Sequence, residues 1–205
     1  MTKLFPFATE HLLDESQAKE ITRPIWPDLT RVWVSAWREW GSVAEEHRAR
    51  LSQTPFVPPI MIFGFAQSFA KEVFLGRENE GIIQCDELFV FGFYLDKKLL
   101  LRFNAVDSDF IVRNSQNGSD RKDQYFRQEP IAGLDNAATR LTVGYVPNAA
   151  KTELASVVLS CQVGDDLYYS FRIDGTEDTT VSIASPTQDP QPDYLSEQLT
   201  RKKPK

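Results

Sequence analysis

The hydrophobic periodicity of the chain changes near Gly81, and this change restricts the fold more than any other feature of the sequence. Before Gly81, apolar residues recur every three or four positions, a spacing typical of amphipathic helices. After it, they alternate or form short runs between turn residues, as strands do. Helices followed by strands predict an α+β fold, with N-terminal helices packed on an antiparallel β-sheet of about six strands.

Three helices are predicted in the first part. A short helix over 8–22 is separated from a long helix over 27–51 by Pro24 and Pro27, because proline does not fit a helix interior. The third helix is predicted from Pro58 to Leu75. It is apolar over more than half of its circumference, so it is either buried or faces a partner.

Alternation and turn chemistry predict the strands. The first predicted strand, residues 82–95, is apolar on both faces, which predicts a central strand. Residues 114–139 are polar and predict a long loop with one helical turn. The predicted strands are 82–95, 98–106, 109–114, 140–146, 153–161 and 166–173, with a further short strand at 181–183.

The length of 205 residues suits one domain or two small ones. We expect a single α+β domain over 1–185, with a helical part at 8–76 and a sheet part at 82–184. The polar, proline-rich segment 186–205 predicts a disordered tail.

Composition limits the classes of partner. The net charge of −6 argues against nucleic-acid binding, which needs a dense positive surface. Basic and aromatic residues mix at 119–128, and the chain ends in RKKPK, but neither segment is basic enough to reverse the expectation from the negative net charge. The apolar runs are too short to span a membrane, and the first residues do not resemble a signal peptide. We therefore expect a soluble, cytoplasmic protein without membrane contact.

The sequence predicts no metal site and no cofactor. Cys85 and Cys161 lie in apolar runs and are expected to be buried free thiols. Two cysteines and two histidines far apart do not make a zinc site. Asp107 and Asp109 could chelate a hard cation, but an aspartate pair of this kind is more typical of a turn.

Catalytic motifs for phosphate binding, zinc hydrolysis and serine hydrolysis are missing from the sequence. The sequence therefore favours a non-enzymatic role. An alternative catalytic group is His47 with Glu45 and Arg48, as in a small effector enzyme such as a toxin acting on RNA or nucleotides. Charged residues at this spacing are also typical of an ordinary solvated helix face.

All four tryptophans, Trp26, Trp33, Trp37 and Trp40, lie on one side of the long predicted helix or at its start. Core packing against the sheet is the favoured interpretation of this tryptophan line. A partner surface is the alternative, because tryptophan is enriched at binding hot spots.

Three functions follow as hypotheses. The first is a non-enzymatic protein-interaction module that binds another protein or itself through an aromatic helix surface formed by the four tryptophans, alone or within a two-gene module such as a toxin–antitoxin pair. The second is the effector enzyme described above. The third is a small-molecule-binding domain, with its ligand between helices and sheet near Phe91, Phe93 and Tyr169.

Overall fold

The computed structural model describes residues 12–46, 57–85, 91–112 and 120–175, and its fold is α+β, as predicted. Three N-terminal helices precede a six-stranded sheet, and one short helix lies between strands. The helices are α1 (Glu15–Thr22), α2 (Trp26–Glu46), α3 (Val57–Phe74) and α4 (Asp120–Phe126). The strands are β1 (Ile82–Cys85), β2 (Gly92–Leu95), β3 (Leu99–Ala105), β4 (Thr139–Pro147), β5 (Leu154–Val163) and β6 (Asp166–Arg172).

Local signals explain where the first helices begin. Asp14 caps α1, since its carboxylate accepts from the Gln17 backbone N–H at 2.8 Å. In turn, the Gln17 side-chain oxygen accepts from the Asp14 backbone N–H at 3.1 Å. The helices are divided at the two prolines, as predicted. Pro24 lies in a 3-10 turn over Arg23–Ile25, and Pro27 occupies the first turn of α2, where its missing N–H costs nothing.

The sheet has the strand order β1-β2-β3-β4-β5-β6, and most pairs are antiparallel. The β3–β4 pair is parallel, which corrects the purely antiparallel prediction. Parallel neighbours need a crossover connection, and residues 106–112 and 120–138 of this connection pack on one face of the sheet. This face, opposite the helices, is called the crossover face below.

Two strand predictions were wrong. Within the run 82–95, β1 and β2 are two separate strands that pair antiparallel, with β1 at the sheet edge, and not one central strand. A continuous apolar run cannot distinguish one long strand from two short ones. At 109–112, within the predicted strand 109–114, the chain forms a turn: the Asp107 carboxylate accepts from the backbone N–H groups of Asp109 and Ile111 at 2.9 and 3.0 Å. The turn interpretation of Asp107 and Asp109 is thereby confirmed.

Each face of the sheet carries its own apolar core. The larger core lies between the sheet and helices α1, α2 and α3. The smaller one lies under the crossover and includes Leu100, Tyr125, Phe126 and Val158. Cys85 and Cys161 are buried free thiols, as expected, and burial raises the pKa of the Cys161 thiol to about 12. The predicted tail at 186–205 and the strand at 181–183 lie outside the described residues.

Helix α2 lies against the sheet along its first half. Its buried residues are Leu29, Val32, Trp33 and Ala36. The Trp33 ring is 1% exposed and sits 4.8 Å from the Tyr145 ring and 5.8 Å from the Phe103 ring, centroid to centroid. Trp33 therefore fixes α2 onto strands β3 and β4. Helix α3 packs beside α2, and no described helix has both the length and the apolar character needed to cross a membrane.

We expect Trp33→Ala to lower the free energy of unfolding by about 3–5 kcal/mol, because it leaves a large cavity between α2 and the sheet. The half-buried Trp40 serves as the matched control, and Trp40→Ala should cost clearly less. Urea unfolding followed by circular dichroism measures both variants. Equal losses for the two variants would contradict the placement of Trp33.

Candidate functional site

The four tryptophans of the predicted line differ in exposure. Trp33 is buried in the core, so it has no surface to offer a partner in this structure. Trp26, Trp37 and Trp40 are half-buried and pack against the same core. The line thus contributes mainly to the contact between α2 and the sheet.

The half-buried tryptophans have partners within the chain. The Trp26 indole N–H donates to the Thr22 hydroxyl at 3.0 Å, and its ring lies 5.8 Å from that of Phe171. The Trp37 ring lies 5.8 Å from that of Tyr145. Only part of each side chain reaches solvent, because the rest packs against the core.

Helix α3 presents the most apolar exposed face of the described residues. Ile60 is 68% exposed, the largest value among the exposed large hydrophobic residues. Gly64 and Ser68 follow on the same side at intervals of four, and both are exposed. No charged residue occurs between Val57 and Ala70, a stretch of fourteen positions. We call Ile60, Gly64 and Ser68 the outer line of α3.

Half-buried side chains flank the outer line and widen it. They are Met61, Phe63, Phe65 and Phe69. The inner positions Ile62, Ala66, Ala70 and Phe74 are buried against α2 and the sheet, which explains why α3 is apolar nearly all round. One side of α3 forms core, and the other, from Ile60 to Ser68, is an uncharged surface that reaches solvent.

The alternative catalytic group is only partly described. Glu45 is exposed on the last turn of α2, whereas His47 and Arg48 lie outside the described residues. The proposed ligand region between helices and sheet is filled by side chains. Phe93 and Tyr169 are buried, and the Phe93 ring is 5.1 Å from Phe74 and 5.5 Å from Phe91.

A shallow pocket of about 100 Å³ lies between the end of α4 and the turn that joins β5 to β6. It is lined by Asp123, Phe126, Arg127, Gly164 and Asp165. This volume is well below the roughly 300–1,000 Å³ of a typical small-molecule site. No group of three or more potential metal ligands occurs among the described residues.

The crossover face carries a polar cluster that the sequence reasoning missed. Its members are Arg102, Tyr125, Gln128 and Arg140. The signal was present in the sequence, because Arg102 interrupts the apolar run LLLRF on the side that Leu100 shares. An arginine in a buried strand position is rare and needs a partner.

Arg140 joins the crossover to β4. It is 2% exposed, and its guanidinium donates to the carbonyls of Gln124 and Glu129 at 3.1 and 2.7 Å and to the Asn136 amide oxygen at 3.2 Å. Burial lowers the pKa of Arg140, while the nearby Tyr125 phenol opposes this shift. These contacts give Arg140 a structural role.

The Gln128 side chain forms hydrogen bonds with the backbones of both β4 and β5. Its amide oxygen accepts from the Arg140 backbone N–H at 3.0 Å, and its amide nitrogen donates to the carbonyls of Arg140 and Gln162 at 2.9 and 3.1 Å. The side chain therefore satisfies backbone groups at the point where the β4–β5 ladder ends.

Arg102 has a different environment. Its guanidinium stacks on the rings of Tyr125 and Phe126, 5.3 and 5.7 Å from their centroids. Its Nη1 atom is buried without a hydrogen-bond partner. Desolvation lowers the pKa of Arg102, whereas it raises the pKa of Tyr125.

No protein-family model, curated protein or solved structure matches this chain. Function therefore has to be argued from the surfaces and clusters described above.

We expect Arg140→Met to lower the free energy of unfolding by about 2–4 kcal/mol, because it leaves two carbonyls and one amide oxygen without their donor. Arg127→Met is the matched control: this exposed arginine makes only a surface ion pair with Glu129, so its loss should change stability by less than about 0.5 kcal/mol. Chemical denaturation measures both, and a neutral Arg140→Met would refute the structural role.

Proposed function

We propose that this chain is a non-enzymatic protein-interaction module whose partner is a second copy of itself, bound through the outer line of α3. The exposed Ile60 on a helix face without charges carries the proposal. An apolar face of this kind on an otherwise polar surface is typical of an association site. Trp37 and Trp40 are half-buried members of the neighbouring helix and would border the contact.

The distribution of charged residues along the chain favours a second copy of the chain over a charged partner. The net charge of −6 makes two copies repel each other wherever acidic surfaces meet. The segment from Val57 to Ala70 avoids this repulsion, because it has no charge to bury or to oppose. An uncharged face is complementary to another copy of the same face, as a two-fold interface requires.

The spacing of side chains supports an antiparallel pair of α3 helices. Ile60, Gly64 and Ser68 are exposed within the uncharged segment, whereas Lys71 is exposed just beyond it. A two-fold axis at Gly64 would place Ile60 of one copy against Ser68 of the other and leave Lys71 at the edge of the contact. Gly64 and Ser68 would let the two backbones approach closely. A helix pair of this size buries less than a standard interface, so we expect a concentration-dependent dimer and not an obligate one.

The test uses Gly64→Leu. A Cβ atom added at Gly64 meets nothing within 4 Å, and leucine is the better helix former by roughly 1 kcal/mol. We therefore expect the variant to melt at a temperature equal to or above that of the wild type, yet to stay monomeric because the new side chain blocks close approach. Light scattering after size exclusion, across a range of protein concentrations, measures the mass.

The matched control is Ile83→Glu, which places a charge at a position 38% exposed on the edge strand β1. This variant should dimerise like the wild type, whereas Ile60→Glu should not. A wild type that remains monomeric at every concentration, or a Gly64→Leu variant that dimerises normally, would refute the proposal.

A further inference from the structure

The last strand of the sheet is buried more deeply than an uncovered edge strand would be. Among the described strands, β6 pairs only with β5, so its other side is the outer edge of the sheet. Tyr169, Ser170 and Phe171 on β6 are nonetheless buried, and Ser170 is only 2% exposed. An unpaired edge leaves a row of backbone N–H and C=O groups in contact with solvent. The burial of Ser170 therefore requires cover along this edge.

A hydrogen bond at the end of β6 shows which backbone groups need this cover. The Ile173 N–H donates to the Val157 carbonyl of β5 at 3.0 Å. Backbone groups in an antiparallel sheet point alternately to the two sides of a strand, so those of Arg172 and Ser170 point away from β5. The low exposure of Ser170 includes its backbone, and it is a property of the single chain. The cover therefore comes from this chain and not from a second molecule.

The chain turns directly after β6. The Thr30 hydroxyl donates to the Ile173 carbonyl at 3.1 Å, and the Asp174 carboxylate accepts from the Val157 backbone N–H at 3.0 Å. These bonds end the pairing of β6 with β5. Gly175 follows with a left-handed φ of 77°. Three connecting residues of which the last is left-handed form a common hairpin loop, and such a loop returns the chain beside the strand that it left. Because β5 occupies one side of β6, the return leads to the outer edge.

The sequence after this loop suits an edge strand. It reads TEDTTVSIA over 176–184 and contains four β-branched residues in the five positions from Thr179 to Ile183. The first proline after the loop is Pro186, so nothing before it prevents strand pairing. The acidic residues at 177 and 178 are also typical of an edge strand that must not attract another chain.

The N-terminal segment 1–11 is less suited to cover this edge. The Leu13 backbone N–H donates to the Thr139 hydroxyl at 2.9 Å. Leu13 therefore lies at the start of β4, and β4 is two strands away from β6. The segment after Gly175 starts at the edge itself and has to cross no other strand.

We propose that residues 176–183, called the return segment, pair antiparallel with the outer edge of β6 as a seventh strand. The three-residue loop places Glu177 opposite Phe171. The Lys19 ammonium lies 5.3 Å from the centre of the Phe171 ring, so Glu177 meets a region of opposite charge. The return segment closes this edge of the sheet to other chains. It is separate from the outer line of α3 and does not depend on dimerisation.

Two neighbouring threonines provide a matched pair of variants. In the proposed register, the Thr180 N–H points to β6, whereas the Thr179 N–H points to solvent. Proline removes the N–H, so Thr180→Pro loses a hydrogen bond of the ladder. Thr179→Pro is the control, because an edge strand tolerates proline where the N–H faces solvent.

Hydrogen–deuterium exchange of the full chain, followed residue by residue by NMR, tests the pairing. We expect the outward Ser170 amide to exchange slowly in the wild type and in Thr179→Pro, and roughly tenfold faster in Thr180→Pro, since the edge then opens more often. The Phe171 amide points to β5 and is the internal control. Its exchange should stay slow in all three proteins, which distinguishes opening of the edge from unfolding.

Fast exchange of the Ser170 amide in the wild type would overturn the proposal, because the edge would then be uncovered. Slow exchange that survives in Thr180→Pro would overturn it too, since another segment such as 1–11 would cover the edge. Protection of Ser170 that rises with protein concentration would assign the edge to a second copy. An equal or larger effect of Thr179→Pro would contradict the proposed register.

Discussion

The packing of Trp33 between α2 and the sheet is the contact on which the rest of the arrangement depends. Its ring contacts Phe103 on β3 and Tyr145 on β4, the two strands that form the parallel pair at the middle of the sheet. Once α2 is fixed there, α3 must cover the sheet beside it, and the outer line of α3 is left facing solvent. The same central strands carry Arg102 and Arg140 on their other face. The helical layer and the polar cluster therefore lie on opposite sides of one pair of strands.

The two faces of the sheet differ in the kinds of side chain that they bury. The helical face is an aromatic core that excludes water and leaves little room for a ligand. The crossover face mixes apolar residues with arginine, glutamine, serine and threonine, and several of their polar atoms lack partners. Buried polar groups stabilise a fold only when they are satisfied, so the unpartnered atoms on this face have a cost, as does the buried Trp33 Nε1 on the helical face.

The fold class followed from the sequence because the change of hydrophobic period at Gly81 is strong. The helix over 27–51 was placed within a residue of the observed start of α2, and the burial of Trp33 follows from its position on the tryptophan line. The parallel β3–β4 pair was not predictable, since strand direction depends on how residues 106–138 cross the sheet and not on local pattern. The arginine cluster was missed for a related reason. Arg102 and Arg140 are far apart in sequence, and only the register of β3 against β4 brings them to one face.

The burial of Trp33 in the core and the proposed contact of the outer line of α3 with a second copy have consequences for the environments of the tryptophans. Fluorine NMR of the chain labelled with fluorotryptophan resolves this directly, because each of the four tryptophans gives one resonance that single substitutions assign. We expect the Trp33 resonance to be insensitive to exchange of H₂O for D₂O and to protein concentration, whereas the Trp40 resonance responds to both. A Trp33 resonance that shifts with solvent and with protein concentration would contradict the burial of Trp33.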